Sequence, residues 1–143
     1  KSEMKEQLGE EKIKIYRRSW DIAPPELSED DEFNPRNDII YKGINQDAIP
    51  NTESLKDTYD RVIPYFNINI RPKILAGKNV IIAAHGNSLR ALCKLLFNIS
   101  NENINKLEIP TGNPLLVKLD SDLKFISAYY LDETRAQNII QNK

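Results

Sequence analysis

The stretch "VIIAAHGNSLRALCKLLF", residues 80–97, decides the fold. Its first five residues are continuously apolar and include the β-branched Val80, Ile81 and Ile82, which predicts a short strand buried on both faces, as in a parallel sheet. From Ser88 the apolar positions Leu89, Leu92, Leu95, Leu96 and Ile99 recur at three and four residues, which predicts a helix capped by Ser88 and running through Asn98. Between strand and helix stands His85, the only histidine in 143 residues. A buried strand feeding directly into an amphipathic helix is the mark of an α/β layer architecture.

Working outward, "TESLKDTYDRVIPYF" opens a second helix with Thr52 or Ser54 as cap. Its apolar face is Leu55, Tyr59, Val62, Ile63, Phe66, Ile70 and Ile74. Pro64 and Pro72 fall inside that pattern and predict a kink or break, and Gly77 is placed to end it. Downstream, Ser100 can cap a shorter helix, and "PLLVKLD" and "KFISAYYL" read as two strands joined at Asp120, Ser121 and Asp122. Upstream, residues 23–51 carry four prolines and the acidic run Glu29–Glu32, and predict a long surface loop. Before it, Gly9 separates two short helical pieces, and the tail from Asp132 to Lys143 reads as weakly helical or loose.

Composition bounds the function. The chain has 20 basic and 21 acidic residues and a formal net charge of −1, so it carries no overall field for nucleic acid or an anionic membrane, and any anion site must be local. The single cysteine, Cys93, lies in an apolar helical pattern and reads as core; it excludes an internal disulfide and a cysteine-based zinc site. With one histidine and no recognisable oxygen-ligand loop, no metal is expected. No apolar run approaches the roughly 20 residues of a membrane span, and the polar N-terminal residues do not resemble a signal peptide, so a cytoplasmic location is expected. A start at Lys1 suggests part of a longer protein.

Two places can carry chemistry. In an open parallel sheet, ligands sit beyond the carboxyl ends of strands, where the amides of the following helix favour an anion such as phosphate. His85, Gly86, Asn87 and Ser88 occupy that turn. Gly86 permits close approach or a positive φ, Asn87 adds an amide donor, and His85 offers a hydrogen bond or a proton. A structural histidine explains H-G-N-S as well as a reactive one does. Ser88 as nucleophile lacks the G-x-S-x-G pattern. The second place is Arg17-Arg18, whose forked donors can reach carboxylate or phosphate oxygens, or simply sit solvated at a helix end.

The blocks "GEEKIKIYRRSWDIAPPEL", "TESLKDTYDRVIPYF", "GKNVIIAAHGNSLRALCKLL" and "EIPTGNPLLVKLD", in this order, resemble the cofactor-dependent phosphoglycerate mutases of the histidine phosphatase superfamily. The resemblance implies an incomplete three-layer α/β/α fold with a mostly parallel central sheet, residues 1–143 being the C-terminal portion of a single domain. It also implies interconversion of 2- and 3-phosphoglycerate, in glycolysis and gluconeogenesis, through a phosphohistidine primed by 2,3-bisphosphoglycerate. His85 then matches the histidine that stabilises the phosphoryl group in flight. Gly86 and Asn87 match substrate contacts, Arg17 and Arg18 the pair gripping the substrate's anionic groups, and Lys1 a substrate-binding lysine. Tyr16, Asn113 and Lys118 depart from the family's usual residues at positions without a chemical role. The family's nucleophilic histidine, in an R-H-G-E segment, and its acid/base glutamate precede the matched region. This chain alone is therefore expected to be inactive, with the missing N-terminal portion as its partner, and the tail from Glu133 to fold over the site. A homo-oligomer is left open. A phosphatase of the same superfamily and a catalytically dead anion-binding domain are the alternatives.

Overall fold

A computed structural model describes residues 9–13, 15–17 and 19–135. Lys1 and Arg18 lie outside the described residues, as do residues 136–143 of the tail. Helical residues 9–13 and 15–17 (α1) lead to Trp20, whose carbonyl accepts a hydrogen bond of 2.8 Å from the Lys56 amide. That bond ties the end of α1 to the start of the next helix across the long loop. The loop is irregular, as expected, broken only by short 3-10 turns at Pro35–Asn37, Ile39–Tyr41 and Gln46–Ala48.

Helix α2, Leu55–Tyr65, starts at Ser54 rather than Thr52. The Ser54 hydroxyl accepts from the Asp57 amide at 3.2 Å, and the Asp57 carboxylate accepts from the Ser54 amide at 2.9 Å, closing a capping box. The two prolines do not stop the chain. Pro64 removes one amide donor within α2, and the backbone passes through a π-helical turn, Phe66–Ile70, into α3, Arg71–Leu75, where Pro72 occupies the first turn. A wide turn between two residues that cannot donate accommodates the altered hydrogen-bond register. Gly77, with φ +74°, closes α3 in the left-handed region.

Residues 79–85 form no ladder among the described residues. This departs from the expected strand at 80–84, and the physical reason is the lack of a neighbour: a strand exists only when its amides and carbonyls meet another. Ile81 is left 97 % exposed. The sheet formed by the described residues is two-stranded and antiparallel, β1 Leu115–Leu119 with β2 Phe125–Tyr130, in register Leu115 to Tyr130 and with a bulge between Lys118 and Leu119. A central parallel sheet is not formed among them. The turn falls where expected, with Asp120 accepting from the amides of Asp122 and Lys124 at 2.9 and 2.8 Å. At the open end the buried Asn113 donates to the Asp132 carbonyl at 2.9 Å and accepts from its amide at 3.0 Å. An aliphatic residue could make neither bond.

Helix α4, Gly86–Leu96, carries the core. Ala91 and Cys93 are buried in a cluster with Leu55, Phe97, Ile99, Ile104 and Leu107, against which Trp20, Tyr59, Leu115, Val117, Phe125 and Ala128 pack. Burial pushes the Cys93 thiol up to about 12, consistent with the core role read from its position. The helix ends before Asn98, which takes φ +50° and lets the Ile99 amide bond back to the Lys94 carbonyl at 3.1 Å. Leu89 and Leu92 instead face a groove of about 350 Å³ that Val62, Phe66, Ile70 and Ile82 also line. Helix α4 therefore has two apolar flanks, one filled by the core and one open.

Candidate anion site

The N-terminus of α4 is set by His85, not by Ser88. His85 is extended, with φ −65° and ψ 152°, and its carbonyl accepts the first helical bond, from the Leu89 amide at 3.0 Å. Its side chain makes no capping hydrogen bond. Gly86, Asn87 and Ser88 are thus the first three helical residues, whose amides have no acceptor within the helix. The helix dipole adds partial positive charge there. Gly86 does not have a positive φ, contrary to one expectation, and a Cβ on it would meet no atom within 4 Å. Its contribution is open space in front of the helix end.

This helix end borders a groove of about 1280 Å³. Arg17, at the end of α1, lines the same groove, as do His85, Gly86 and Asn87, so four of the residues singled out from sequence meet at one place. They come from segments about 70 positions apart in the chain. The other walls come from the start of α2, with Thr58 and Arg61, and from the segment around Asn105, Glu108 and Ile109. Thr58 is buried and donates to the Ser54 carbonyl at 3.1 Å, which holds that wall to the capped turn.

Sequence reasoning missed Arg61 and Arg90. Arg61 forms a two-point ion pair with Glu53, Nε to Oε1 and Nη2 to Oε2, and this pairing raises the Arg61 pKa. Its charge is therefore largely balanced within the groove wall. Arg90 donates from Nη1 to Asn87 Oδ1 at 2.7 Å and from Nε to the Leu107 carbonyl at 2.9 Å. The signal available in the sequence was its spacing, since residues i and i+3 share a helix face. Among the described residues no group of three or more histidine, cysteine or carboxylate side chains converges to hold a metal. The groove instead offers amide, imidazole and guanidinium donors. That donor set fits a phosphate or carboxylate group.

The family model described as "Histidine phosphatase superfamily (branch 1)" matches residues 3–131. A 2,3-bisphosphoglycerate-dependent phosphoglycerate mutase of Pelagibacter ubique (strain HTCC1062) is 52% identical over 140 residues, covering 98% of this chain and 59% of that protein. The mutase of the same name from Hyphomonas neptunium (strain ATCC 15444) is 52% identical over 139 residues, covering 97% of this chain and 57% of that protein. That of Neisseria meningitidis serogroup B (strain ATCC BAA-335 / MC58) is 50% identical over 131 residues, covering 92% and 58%. The chain thus spans rather more than half the length of the curated relatives it matches.

Proposed function

The chain belongs to the histidine phosphatase superfamily, and from that premise we propose that it is the C-terminal part of a 2,3-bisphosphoglycerate-dependent phosphoglycerate mutase. The fold of this superfamily is phosphoglycerate mutase-like α/β. The observation that carries the functional reading is the meeting of Arg17, His85, Gly86 and Asn87 on one groove at the N-terminus of α4.

In this reading the substrate's carboxylate and phosphate are gripped by Arg17, and Arg18 and Lys1, which lie outside the described residues, are assigned to substrate binding by the likeness to the mutases alone. The amides at Gly86 and Asn87 receive the transferring phosphoryl group. Phosphoryl transfer spreads negative charge over three equatorial oxygens while the bond to the leaving oxygen breaks and the bond to the nucleophile forms in line. His85 donates a hydrogen bond to those oxygens, a preorganised contact stronger in the transition state than in the ground state. When bound, 2,3-bisphosphoglycerate supplies the phosphoryl group that primes the cycle, and its anionic groups suit the same donors.

The cycle also needs a nucleophile and an acid/base group to handle the substrate hydroxyl's proton. His85, the single histidine of this chain, acts here as stabiliser; by its likeness to the mutases, the nucleophilic histidine and the acid/base glutamate belong to an N-terminal portion outside these residues. That portion also supplies the strand that pairs with residues 80–84, completing a parallel central sheet. A glycolytic and gluconeogenic role in the cytoplasm follows from the activity.

The test is made in the complete gene product. His85→Ala lowers the rate of phosphoryl transfer by about 100- to 1,000-fold, the effect of removing one oxyanion donor. Unchanged turnover refutes the role given to His85, and steady phosphate release without isomerisation identifies a phosphatase instead.

A further inference from the structure

Asn87 is useful to an anionic ligand only through its amide nitrogen. A primary amide has a donor end and an acceptor end of nearly equal shape, and nothing in the side chain's own geometry decides which end faces the ligand. An oxygen turned toward a phosphate would repel it. In this structure the oxygen is occupied: Asn87 Oδ1 accepts from Arg90 Nη1 at 2.7 Å, one helical turn along α4.

Arg90 is itself held at a second point. Its Nε donates at 2.9 Å to the carbonyl of Leu107, a residue with 0% exposure in the core cluster. The guanidinium fork is planar, so fixing Nε on a buried carbonyl fixes where Nη1 points. Leu107 lies between Asn105 and Glu108, which line the groove. The bond to Leu107 therefore refers the Asn87 amide to the rigid core rather than to the helix end alone.

We propose that Arg90 is a positioning residue of this site: by occupying Asn87 Oδ1 from an anchor on Leu107, it presents Asn87 to the ligand as a donor only. The proposal rests on the reading of Asn87 as a ligand contact. It distinguishes orientation from charge, because the Arg90 cation is also attractive to an anion. A lysine keeps the charge but its single nitrogen cannot reproduce both ends of the fork.

The test is a double-mutant cycle in the complete gene product, read as KM and kcat with 3-phosphoglycerate and accompanied by thermal melts. Arg90→Gln raises KM about tenfold when Asn87 is present, the scale of one hydrogen bond, and less than about twofold when Asn87 is already alanine, because the two residues act as a unit. Arg90→Lys shows the same dependence on Asn87. Equal factors in both backgrounds, or Arg90→Lys with wild-type KM, overturn the proposal. An Asn87→Ala variant with unchanged KM and kcat overturns the ligand-contact reading and this proposal together. An effect of Asn87→Ala with none from either Arg90 variant overturns the positioning role alone. Should loss of the Leu107 contact prevent Arg90→Gln from folding, the Arg90→Lys arm decides.

Discussion

At Gly86 a Cβ would meet no atom within 4 Å, and the residue lies in the first turn of α4 without a positive φ. Neither backbone conformation nor internal packing calls for glycine. The demand that remains is room for something outside the protein's own atoms. Gly86→Ala is therefore expected to leave thermal stability unchanged or to raise it by at most about 1 kcal/mol, the helix-propensity gain. Under the proposed function, the same change is expected to raise KM for 3-phosphoglycerate in the complete gene product, because the added methyl group intrudes on the space proposed for the ligand at the helix end. Melting and kinetics on one sample check both halves; a loss of stability would show that the glycine serves the fold instead.

Helix α2 depends on its first turn. The Ser54 hydroxyl and amide together hold the Asp57 carboxylate below its ordinary pKa of 3.8, with the side-chain hydrogen bond from Ser54 as the main cause. Ser54→Ala removes the cap and is expected to cost about 1 kcal/mol in equilibrium unfolding. The pH dependence has a definite sign. Because the folded carboxylate titrates below the unfolded one, its stabilising contribution is complete above 3.8 and disappears as the pH falls through the lowered folded value. Denaturant melts between neutral pH and about pH 2 should show this acid loss in the native chain and a smaller one in Asp57→Asn; identical acid curves would remove the capping box as a source of stability. The consequence extends beyond the helix, since Glu53, Thr58 and Arg61 of the groove wall surround this turn.

On the scale of the molecule, the two apolar flanks of α4 are unequal. One meets β1, β2 and the segment at Ile104 and Leu107, while the other opens on a groove with Ile82, and the neighbouring Ile81 is almost wholly exposed. Both belong to residues 79–85, which have no ladder in the described structure. If a longer polypeptide supplies the neighbouring strand, amide hydrogen exchange at residues 80–84 should be fast in this chain alone. It should slow by about 100-fold or more in the complete gene product, as expected for ladder amides that open only with a cooperative unit. Under the proposed function, the same preparation is expected to show mutase activity and the isolated chain none. Equal exchange in both would exclude 80–84 from a central sheet.

How much of this was legible in the sequence follows from range. The strand pair at 115–130, its turn at Asp120 and the interior placement of Cys93 are matters of local pattern, and each is found where pattern puts it, while α2 starts at Ser54, one of the two caps that pattern left open. One local inference failed for a local reason: Ser88 has the chemistry of a cap, but His85 has the extended backbone. The kink or break signalled by the two prolines takes the form of a π turn between α2 and α3. The candidate site was half legible: the H-G-N-S turn and Arg17 stood out by residue type, whereas Arg61 and Arg90 show no role until the chain folds. Caps, turns and apolar periods act within a few residues, so these short-range signals are written in the chain itself. Which distant segments share a groove, and which apolar face of α4 is covered, are settled by folding, because they depend on contacts between residues far apart in the chain.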